Sequence, residues 1–429
     1  ILYSFFSFTE HTPFPGRSAL LPCLGASLVI YSGQARFLGL LLRNPLSVGI
    51  GLISYSLYLI HWPLLIFYTY WKYAELVLWE RLSLLLATIF LAALSWKFIE
   101  QPFRKGRGAS QKRFVLVYIM LAGILLAAAA VVIQQKGLPN RISSKFSQVK
   151  DITQFHIDQY GGKGYPFVGM FGAAREDKDD HDVVLAGDSF VIQYATGLDP
   201  LFQQEDIRAK MVTDYACIVG TDITFFHKGK PDNICTEQNR LLFSSLQEDN
   251  NQPIILSQAW EWYLTGICDL EGRQIDFINQ NRYHKFLINN LRKIRKEIGA
   301  ERQLILIGNP PGSGNRNGII SCLNRPAFLP NNCLDTMVFP KKNGVGLQIN
   351  QRLRKFAATE KNTWFFDPFE VFCKQDSCAA LDYNNNTIWY SDGGHVSIDG
   401  SIKAADYFGP ELVRIIRAAS EQAAAGQSD

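Results

Sequence analysis

The sequence is poor in net charge and in the cysteine and histidine patterns that hold metals. Its 429 residues carry a formal net charge of only +4, which gives no reason to expect a nucleic acid as a partner. The seven histidines are scattered, and no two cysteines have the C-x-x-C spacing that is typical of zinc sites. We therefore expect neither a nucleic-acid partner nor a metal site.

Charge is scarcest in the first third of the chain. Residues 1–134 contain 11 Lys or Arg and 4 Asp or Glu, against 32 and 35 in the remainder. A helix needs roughly 20 apolar residues to cross a bilayer, and four stretches come near that length. They are residues 17–32, 46–70, 81–99 and 114–133. Four buried helices of a soluble protein are the alternative, but long uncharged runs favour spans in a lipid bilayer.

Loop charges predict how these spans are oriented. Arg36 and Arg43 precede the second span, and five basic residues lie within 104–113, so both loops should be cytoplasmic. The loop between the second and third spans holds a single basic residue, Lys72, and should face outward. With four alternating spans, everything after Gln134 should lie outside the cytoplasm.

The cysteines agree with that placement. Seven of the eight lie beyond residue 200, and six of these form close pairs along the sequence, as suits an oxidising compartment. The pairs are Cys217 with Cys235, Cys322 with Cys333, and Cys373 with Cys378. Sequence alone does not prove this connectivity, and Cys268 is left over.

Composition divides the chain into three regions. Residues 1–134 hold the spans, 135–175 form a junction with several Gly and Pro, and 176–429 follow a different pattern. The first residue is Ile rather than Met, and no signal peptide precedes the first span. We expect that the chain begins between membrane helices and that a further N-terminal portion precedes it in the full protein.

The last region alternates short apolar runs with helix-like segments. The expected strands are Asp182–Ala186, Ala209–Thr213, Pro253–Leu256, Gln303–Ile307 and Trp364–Phe366. The expected helices are Glu237–Gln247, Ile275–Ile298, Leu347–Thr359 and Ser401–Ala419. This alternation predicts a three-layer α/β domain whose parallel sheet is covered on both faces. Sites in such sheets form beyond the carboxyl ends of the strands.

A serine follows the first of these strands in a tight turn. The run Val183–Ala186 leads directly into Gly187, Asp188 and Ser189. A serine at the start of a helix lies beside free backbone N–H groups, which can stabilise the oxyanion formed when a serine attacks an ester. The alternative is an ordinary helix cap, because Asp and Ser are favoured there.

An aspartate and a histidine precede the last predicted helix. Asp392 and His395 are three residues apart in a loop that contains glycine. A nucleophilic serine needs a base, and the base needs a group that orients it. A surface histidine is the alternative for His395, but the two motifs together predict a catalytic triad of Ser189, His395 and Asp392.

These motifs resemble those of known families. The Gly-Asp-Ser turn and the Asp-x-x-His loop are similar to those of the SGNH hydrolase superfamily. The membrane region resembles the C-terminal part of acyltransferase family 3 in two segments, Ser54–Pro63 and Glu100–Arg104. The segment Phe366–His395, with its cysteine pair, is similar to the SGNH domain of two-part bacterial glycan O-acyltransferases.

The resemblance implies a route for an acyl group. The membrane region would take the group, usually acetyl, from acetyl-CoA or a similar cytoplasmic donor, and the outer domain would bind no cofactor. Ser189 would carry an acyl ester, His395 would act as the base and Asp392 would orient it. The acceptor would be an extracytoplasmic glycan, with lipopolysaccharide, peptidoglycan and exopolysaccharide all open. The location would be the bacterial inner membrane, with the outer domain in the periplasm.

The sequence departs from the SGNH pattern at the oxyanion site. SGNH hydrolases usually add a glycine and an asparagine to the backbone N–H of the serine, here Ser189. Gly220 matches the glycine, but the segment Ser257–Trp260 after the third strand contains no asparagine. Fused acyltransferases tend to carry tryptophan there, so Trp260 is the expected substrate contact.

His61 lies inside a predicted span. An ionisable residue in a span is a functional hypothesis by default, and packing against a neighbouring helix is the alternative. The early catalytic histidine of the membrane family has no counterpart in this sequence, which fits the expected N-terminal portion.

Three functions remain open at this point. The first is an O-acyltransferase that modifies an extracytoplasmic polysaccharide, the second a membrane-tethered carbohydrate esterase, and the third a non-catalytic glycan-binding module. The intact triad argues against the third. Several spans argue against the second, because an esterase would need only one anchor helix.

Overall fold

The computed structural model describes the chain apart from residues 1, 9–11, 13–15, 32–37, 74–75, 105–108, 136, 142–151, 178–179, 228, 249–251, 315–317, 324, 327, 330–335, 383 and 427–429. The chain divides into two compact units, Ile1–Gly137 and Leu138–Asp429. The assignment of 135–175 as a junction stays a prediction.

The first unit is helical. Its helices are α1 (Leu2–Ser7), α2 (Arg17–Tyr31), α3 (Leu38–Arg43), α4 (Pro45–Lys72), α5 (Leu78–Ser95), α6 (Gln101–Arg104) and α7 (Ala109–Gln134). A π-helical turn, Trp96–Glu100, continues α5. Three helical segments of the described residues are long and apolar enough to cross a membrane: Pro45–Lys72, Leu78–Glu100 and Val115–Gln134.

These three segments match the last three of the four predicted spans. The predicted first span, 17–32, overlaps α2, which has 15 described residues and is not among these three segments, so this span stays a prediction. Residue 32 lies outside the described part of the chain. Three spans that start at a cytoplasmic loop also end outside, so the predicted orientation of the second unit does not change.

Polar side chains join α4 to α5 near both ends of the pair. Ser56 Oγ donates to Glu100 Oε2 at 3.2 Å. At the other end, Tyr68 OH donates to Glu80 Oε1 at 3.0 Å, and Lys72 pairs with the same carboxylate. Because polar groups are costly in apolar surroundings, these contacts fix how the two helices pair.

His61 is an exposed residue of α4. Its Nδ1 lies 2.7 Å from Tyr58 O and 3.2 Å from Leu57 O, both in its own helix. These local contacts account for one ring nitrogen, and a catalytic role for His61 stays a prediction.

The second unit combines strands and helices. The strands are β1 (Val168–Gly172), β2 (Val183–Gly187), β3 (Arg208–Thr213), β4 (Ile223–His227), β5 (Lys230–Pro231), β6 (Ile254–Ser257), β7 (Ile267–Asp269), β8 (Leu304–Ile307), β9 (Val338–Pro340), β10 (Thr363–Phe366), β11 (Cys373–Lys374), β12 (Ser377–Ala379), β13 (Leu381–Asp382) and β14 (Thr387–Ile388). The helices are α8 (Ile152–Gln159), α9 (Ser189–Ile192), α10 (Ala195–Gln204), α11 (Asn233–Glu248), α12 (Gln280–Ile298), α13 (Gly318–Leu323), α14 (Leu347–Thr359), α15 (Pro368–Phe372) and α16 (Ile398–Gly426).

The main sheet has six strands in the order β1-β3-β2-β6-β8-β10. The five strands from β3 to β10 run parallel, which confirms the predicted α/β fold. β1 is antiparallel to β3 and was not predicted. Two of its five residues are glycines, which are depleted in strands and hide the pattern.

Helices cover both faces of this sheet. Val184, Ala186 and Leu256 belong to one buried cluster with residues of α11, α12 and α14. Successive side chains of a strand point to opposite faces, so Val183 and Leu185 face the other side, where α10 and α16 pack together. The sheet is thus the buried middle layer of three.

The last residue of β2 lies at the centre of the carboxyl edge of the sheet. Gly187 pairs with Thr213 of β3 on one side and with Ser257 of β6 on the other. The turn after β2 therefore emerges where the loops of both neighbouring strands also emerge.

Two of the three predicted disulfides are present. Cys217 bonds Cys235, and Cys373 bonds Cys378 across the β11–β12 pair. Cys268 is buried and is free, as predicted. The third predicted bridge involves Cys333, which lies outside the described residues.

Peptide mapping without reductant should find these two bridges and a free thiol at Cys268. Replacing both Cys217 and Cys235 by serine should lower the free energy of unfolding by about 3 kcal/mol, because the bridge closes a loop of moderate length in the unfolded chain. Chemical denaturation of the chain measures this change. Cys268→Ser is the control and should have a smaller effect, and free thiols at Cys373 and Cys378 would contradict the assignment.

Candidate active site

The turn after β2 depends on glycine at position 187. Gly187 has a φ of +140°, a conformation that other residues rarely adopt. A Cβ at this position would also clash with the carbonyl oxygen of Ser257 in the neighbouring strand. Glycine therefore lets the chain turn sharply and start α9 at Ser189.

Asp188 fixes this turn from inside the protein. Its side chain is almost fully buried, and Oδ1 accepts from the N–H of Phe190 at 2.7 Å. Oδ2 accepts from the N–H of Ala259 at 2.9 Å and from Tyr263 OH at 2.5 Å. Burial raises the pKa of Asp188, whereas these hydrogen bonds oppose the rise. Asp188 thus ties the serine turn to the loop after β6.

The structure brings Ser189, His395 and Asp392 together at this edge of the sheet. Ser189 Oγ lies 2.8 Å from His395 Nε2, although the two residues are 206 positions apart. His395 Nδ1 lies 2.8 Å from Asp392 Oδ2. A serine, a histidine and a carboxylate in this order have the geometry of a nucleophile, a base and the group that orients the base.

Asp392 is held as an anion. Its Oδ1 accepts from the backbone N–H groups of Gly394 at 2.8 Å and His395 at 2.6 Å. Burial on its own would raise the pKa of Asp392, but the hydrogen bonds and the charge of His395 outweigh it and hold this pKa well below its usual range. An ionised Asp392 keeps a proton on His395 Nδ1, which leaves Nε2 free to accept the proton of Ser189.

Aromatic rings from two parts of the chain pack around His395. The ring of Phe190 lies 4.7 Å from that of His395, and the rings of His156 and Tyr160 lie 5.3 Å and 5.6 Å from it. His156 and Tyr160 come from α8 and its end, within the predicted junction. Sequence reasoning missed both, because this segment is short and shows no clear periodicity.

These two residues also make polar contacts with the triad. Tyr160 OH donates to the carbonyl oxygen of Ser189 at 2.5 Å. His156 Nδ1 lies 3.0 Å from Ser391 Oγ and 3.5 Å from Asp392 Oδ2. Burial lowers the pKa of His156, and the neighbouring His395 lowers it further, against the attraction of Asp392. His156 therefore favours its neutral form beside the ionised Asp392.

The same residues form a cluster that could hold a metal ion. His156, Asp392 and His395 each offer one ligand atom, and these atoms lie within 4.8 Å of one another. A cation held there would compete with the hydrogen bond between Asp392 and His395. Metal binding at this cluster and the triad geometry are therefore alternatives.

The backbone N–H groups of Ser189 and Gly220, the two predicted oxyanion donors, differ in whether they are free to bind a substrate oxygen. Within the described part of the chain, the N–H of Ser189 makes no hydrogen bond and remains open to a substrate oxygen. The N–H of Gly220 donates to Asn239 Oδ1 at 3.3 Å, and this glycine packs against Ile223. Gly220 is therefore not free to act as the second donor that the sequence indicated.

The prediction that Trp260 contacts substrate is wrong. Its side chain is 1 % exposed, and its Nε1 donates to the carbonyl oxygen of Ile307 at 2.9 Å. Trp260 is a core residue that holds the loop after β6 against β8. The exposed tryptophan of this loop is Trp262, two residues further along.

A cleft opens beside the triad. Its volume is about 220 Å³, and its lining includes Phe190 next to Ser189 and Gly393 and Gly394 next to His395. Its lining also includes Glu261 and Trp262, from the loop after β6. A substrate in this cleft would therefore lie beside the nucleophile and its base.

Two solved structures are similar to this chain at low identity. A periplasmic domain of a lipopolysaccharide acetyltransferase from Salmonella ser. Paratyphi A is similar at 15% identity and a TM-score of 0.43, over 63% of this chain and all of that one. A Streptococcus pneumonia protein, provisionally described as a platelet activating factor, is similar at 14% identity and a TM-score of 0.31, over 66% and 99%. Neither likeness is close enough to bear on function, and no curated protein matches the chain.

The comparison with protein families finds a match. The family described as SGNH domain (fused to AT3 domains) matches residues 159–410, which is more than half of the chain and includes Ser189, Asp392 and His395. The chain belongs to the family of SGNH domains that are fused to AT3 domains.

Proposed function

We propose that this chain is an O-acyltransferase that transfers acetyl groups to an extracytoplasmic polysaccharide through an acyl ester on Ser189. The observation that carries the proposal is the hydrogen-bonded series Ser189–His395–Asp392 at the carboxyl edge of the sheet. Membership in a family of domains fused to AT3 domains and three candidate membrane spans support it.

The first half of the reaction loads the serine. Ser189 Oγ attacks the carbonyl carbon of the donor ester or thioester while His395 Nε2 takes the hydroxyl proton. The N–H of Ser189 donates to the negative oxygen of the tetrahedral intermediate. The bond to the leaving group then breaks, the leaving group takes the proton from His395, and the acetyl group remains on Ser189 Oγ.

The second half of the reaction transfers the acetyl group from Ser189 to the acceptor. A sugar hydroxyl in the cleft attacks the ester carbonyl, and His395 Nε2 takes the proton of that hydroxyl. The bond between the carbonyl carbon and Ser189 Oγ breaks, and His395 returns the proton to Oγ. The products are an acetylated sugar and the free serine, and Asp392 stabilises the imidazolium in both halves.

The membrane unit would supply the acetyl group. Its resemblance to acyltransferase family 3 leads us to propose acetyl-CoA or a similar cytoplasmic molecule as the donor. We place the chain in the bacterial inner membrane with the second unit in the periplasm. The basic loops before the first and after the second of the three candidate spans should both be cytoplasmic, and the third span then leads out of the cytoplasm. The acceptor would be lipopolysaccharide, peptidoglycan or exopolysaccharide.

A membrane-tethered carbohydrate esterase could use the same triad with water as the acceptor. Three candidate spans favour the transferase, because one helix would be enough to anchor an esterase. A non-catalytic glycan-binding module would have no need of a serine that is hydrogen-bonded to an oriented histidine.

Ser189→Ala should lower the acetylation of surface glycans by a factor of about 10⁴ or more, because it removes the nucleophile. Asp392→Asn should lose less, because this residue only orients the base. Mass analysis of glycans from cells that express each variant in place of the wild-type chain measures the effect.

The matched control for these variants is Ser244→Ala, which removes an exposed hydroxyl whose hydrogen bond is to its own helix. It should leave acetylation unchanged. Normal acetylation by a folded Ser189→Ala variant would refute the role of Ser189 as the nucleophile.

The orientation of the chain is open to a separate test. Alkaline phosphatase fused after Asp429 should be active in cells, because the enzyme needs an extracytoplasmic location and the loop charges predict one for the second unit. A fluorescent protein that folds only in the cytoplasm should stay dark at the same position. The reverse pattern would overturn the predicted topology.

A further inference from the structure

Trp262 presents a large aromatic surface at the cleft beside the triad. Its side chain is 61% exposed, which is unusual for an indole in a well-packed loop. One side of its ring is supported by Phe225, stacked at 5.5 Å, and its edge meets Tyr263 at 5.6 Å. The ring is therefore held in place while much of its surface stays open to a ligand.

Glu261, the preceding residue, presents a carboxylate to the same cleft. Its side chain is only 11% exposed, and Oε2 accepts from His284 Nε2 at 3.0 Å and from Gln280 Nε2 at 2.5 Å. His284 is completely buried and so fixes the direction of the carboxylate. Within the described residues, Oε1 makes no hydrogen bond. This oxygen is therefore available to accept a hydrogen bond from a ligand hydroxyl in the cleft.

The position of the cleft connects these two residues to the chemistry. Phe190 follows the nucleophile, and Gly393 and Gly394 precede the base, and all three line the same cleft. The volume of about 220 Å³ exceeds what an acetyl group fills and suits one ring of a larger ligand.

We propose that Trp262 and Glu261 form the acceptor subsite, in which a neutral pyranose ring stacks on the indole of Trp262 and donates a hydroxyl hydrogen bond to Glu261 Oε1. This inference rests on the proposed acyltransferase function and names the part of the site that selects the acceptor. A pyranose ring has apolar C–H groups on its faces and hydroxyl groups around its rim. The C–H faces can pack on the indole of Trp262, and a rim hydroxyl can donate to the carboxylate oxygen of Glu261.

The charge of Glu261 determines the class of sugar. A carboxylate that accepts from one hydroxyl would repel a carboxylate or phosphate on the same ring, since like charges at close range are unfavourable outside bulk water. The subsite therefore takes uncharged sugar rings, and acidic sugars are disfavoured at the position that receives the acetyl group.

The test uses the full-length chain in membranes, with p-nitrophenyl acetate as donor and two neutral acceptors, cellopentaose and chitopentaose. Release of p-nitrophenol reports acylation of Ser189, and mass analysis of the pentasaccharides reports transfer. Trp262→Ala should raise the acceptor KM about tenfold and lower the ratio of transfer to donor cleavage by a similar factor. Glu261→Gln should likewise raise the acceptor KM and lower the ratio of transfer to donor cleavage. Trp262→Phe should retain more transfer than Trp262→Ala.

Trp364→Ala is the matched control. Trp364 is a partly exposed tryptophan of β10 that contacts Gln303 and Arg414, and its loss should change neither readout. An unchanged acceptor KM in Trp262→Ala and Glu261→Gln would overturn the subsite, even if Ser189→Ala still abolished transfer. Equal losses of donor cleavage and transfer would also overturn it, because the two residues would then act on the fold or the triad.

The wild-type chain separates failure of this subsite from failure of the proposed function. A wild-type chain that releases p-nitrophenol but acetylates neither pentasaccharide would count against transfer to neutral sugars altogether. A wild-type chain that acetylates one of them, with variants that behave as the wild type does, would remove only the role of Trp262 and Glu261.

Discussion

Gln193 joins the two halves of the active site. It is completely buried, and its Oε1 accepts from the N–H of Val396 at 2.9 Å while its Nε2 donates to the carbonyl oxygen of Phe190 at 3.0 Å. One amide thus connects the serine helix to the histidine loop, which lie at opposite ends of the second unit in sequence. Because unpaired amide groups are costly when buried, the two segments hold each other in register. The short contact between Ser189 and His395 depends on this connection.

Much of the fold follows from the sequence because its signals are local. Three of the five parallel strands, β2, β6 and β8, are short apolar runs whose residues are all buried, so the residues alone indicate them. Two features of the site are also local. Glycine at position 187 allows a sharp turn. The spacing of Asp392 and His395 lets the carboxylate reach the ring nitrogen and two backbone N–H groups of the same loop.

The remaining features depend on contacts between distant segments, which a single sequence does not reveal. α8 brings His156 and Tyr160 to His395, yet nothing in its eight residues indicates a partner more than 230 positions away. The sequence likewise does not reveal which of the two tryptophans after β6 is buried. Trp260 and Trp262 are two residues apart, and only the course of the loop decides that the first packs in the core and the second faces the cleft.

The proposed acyl transfer uses Ser189 together with the cleft beside it, where the acceptor would bind. The triad supplies a nucleophile and a base, which serve hydrolysis and transfer equally. What favours transfer is a neighbouring surface that can place a hydroxyl near the ester ahead of water, because orientation of two reactants contributes a large part of the rate of such reactions. Trp262 and Glu261 provide a surface of that kind.

In the proposed route the acetyl group passes through an ester on Ser189. Mass analysis of peptides from the full-length chain, quenched in acid during turnover with p-nitrophenyl acetate, tests it most directly. We expect one acetyl group on the peptide that contains Ser189, and we expect that added acceptor glycan removes this group as acetylated sugar appears. Acetylated sugar that forms while the Ser189 peptide stays unmodified, or while another residue carries the acetyl group, would refute an ester on Ser189 as the intermediate.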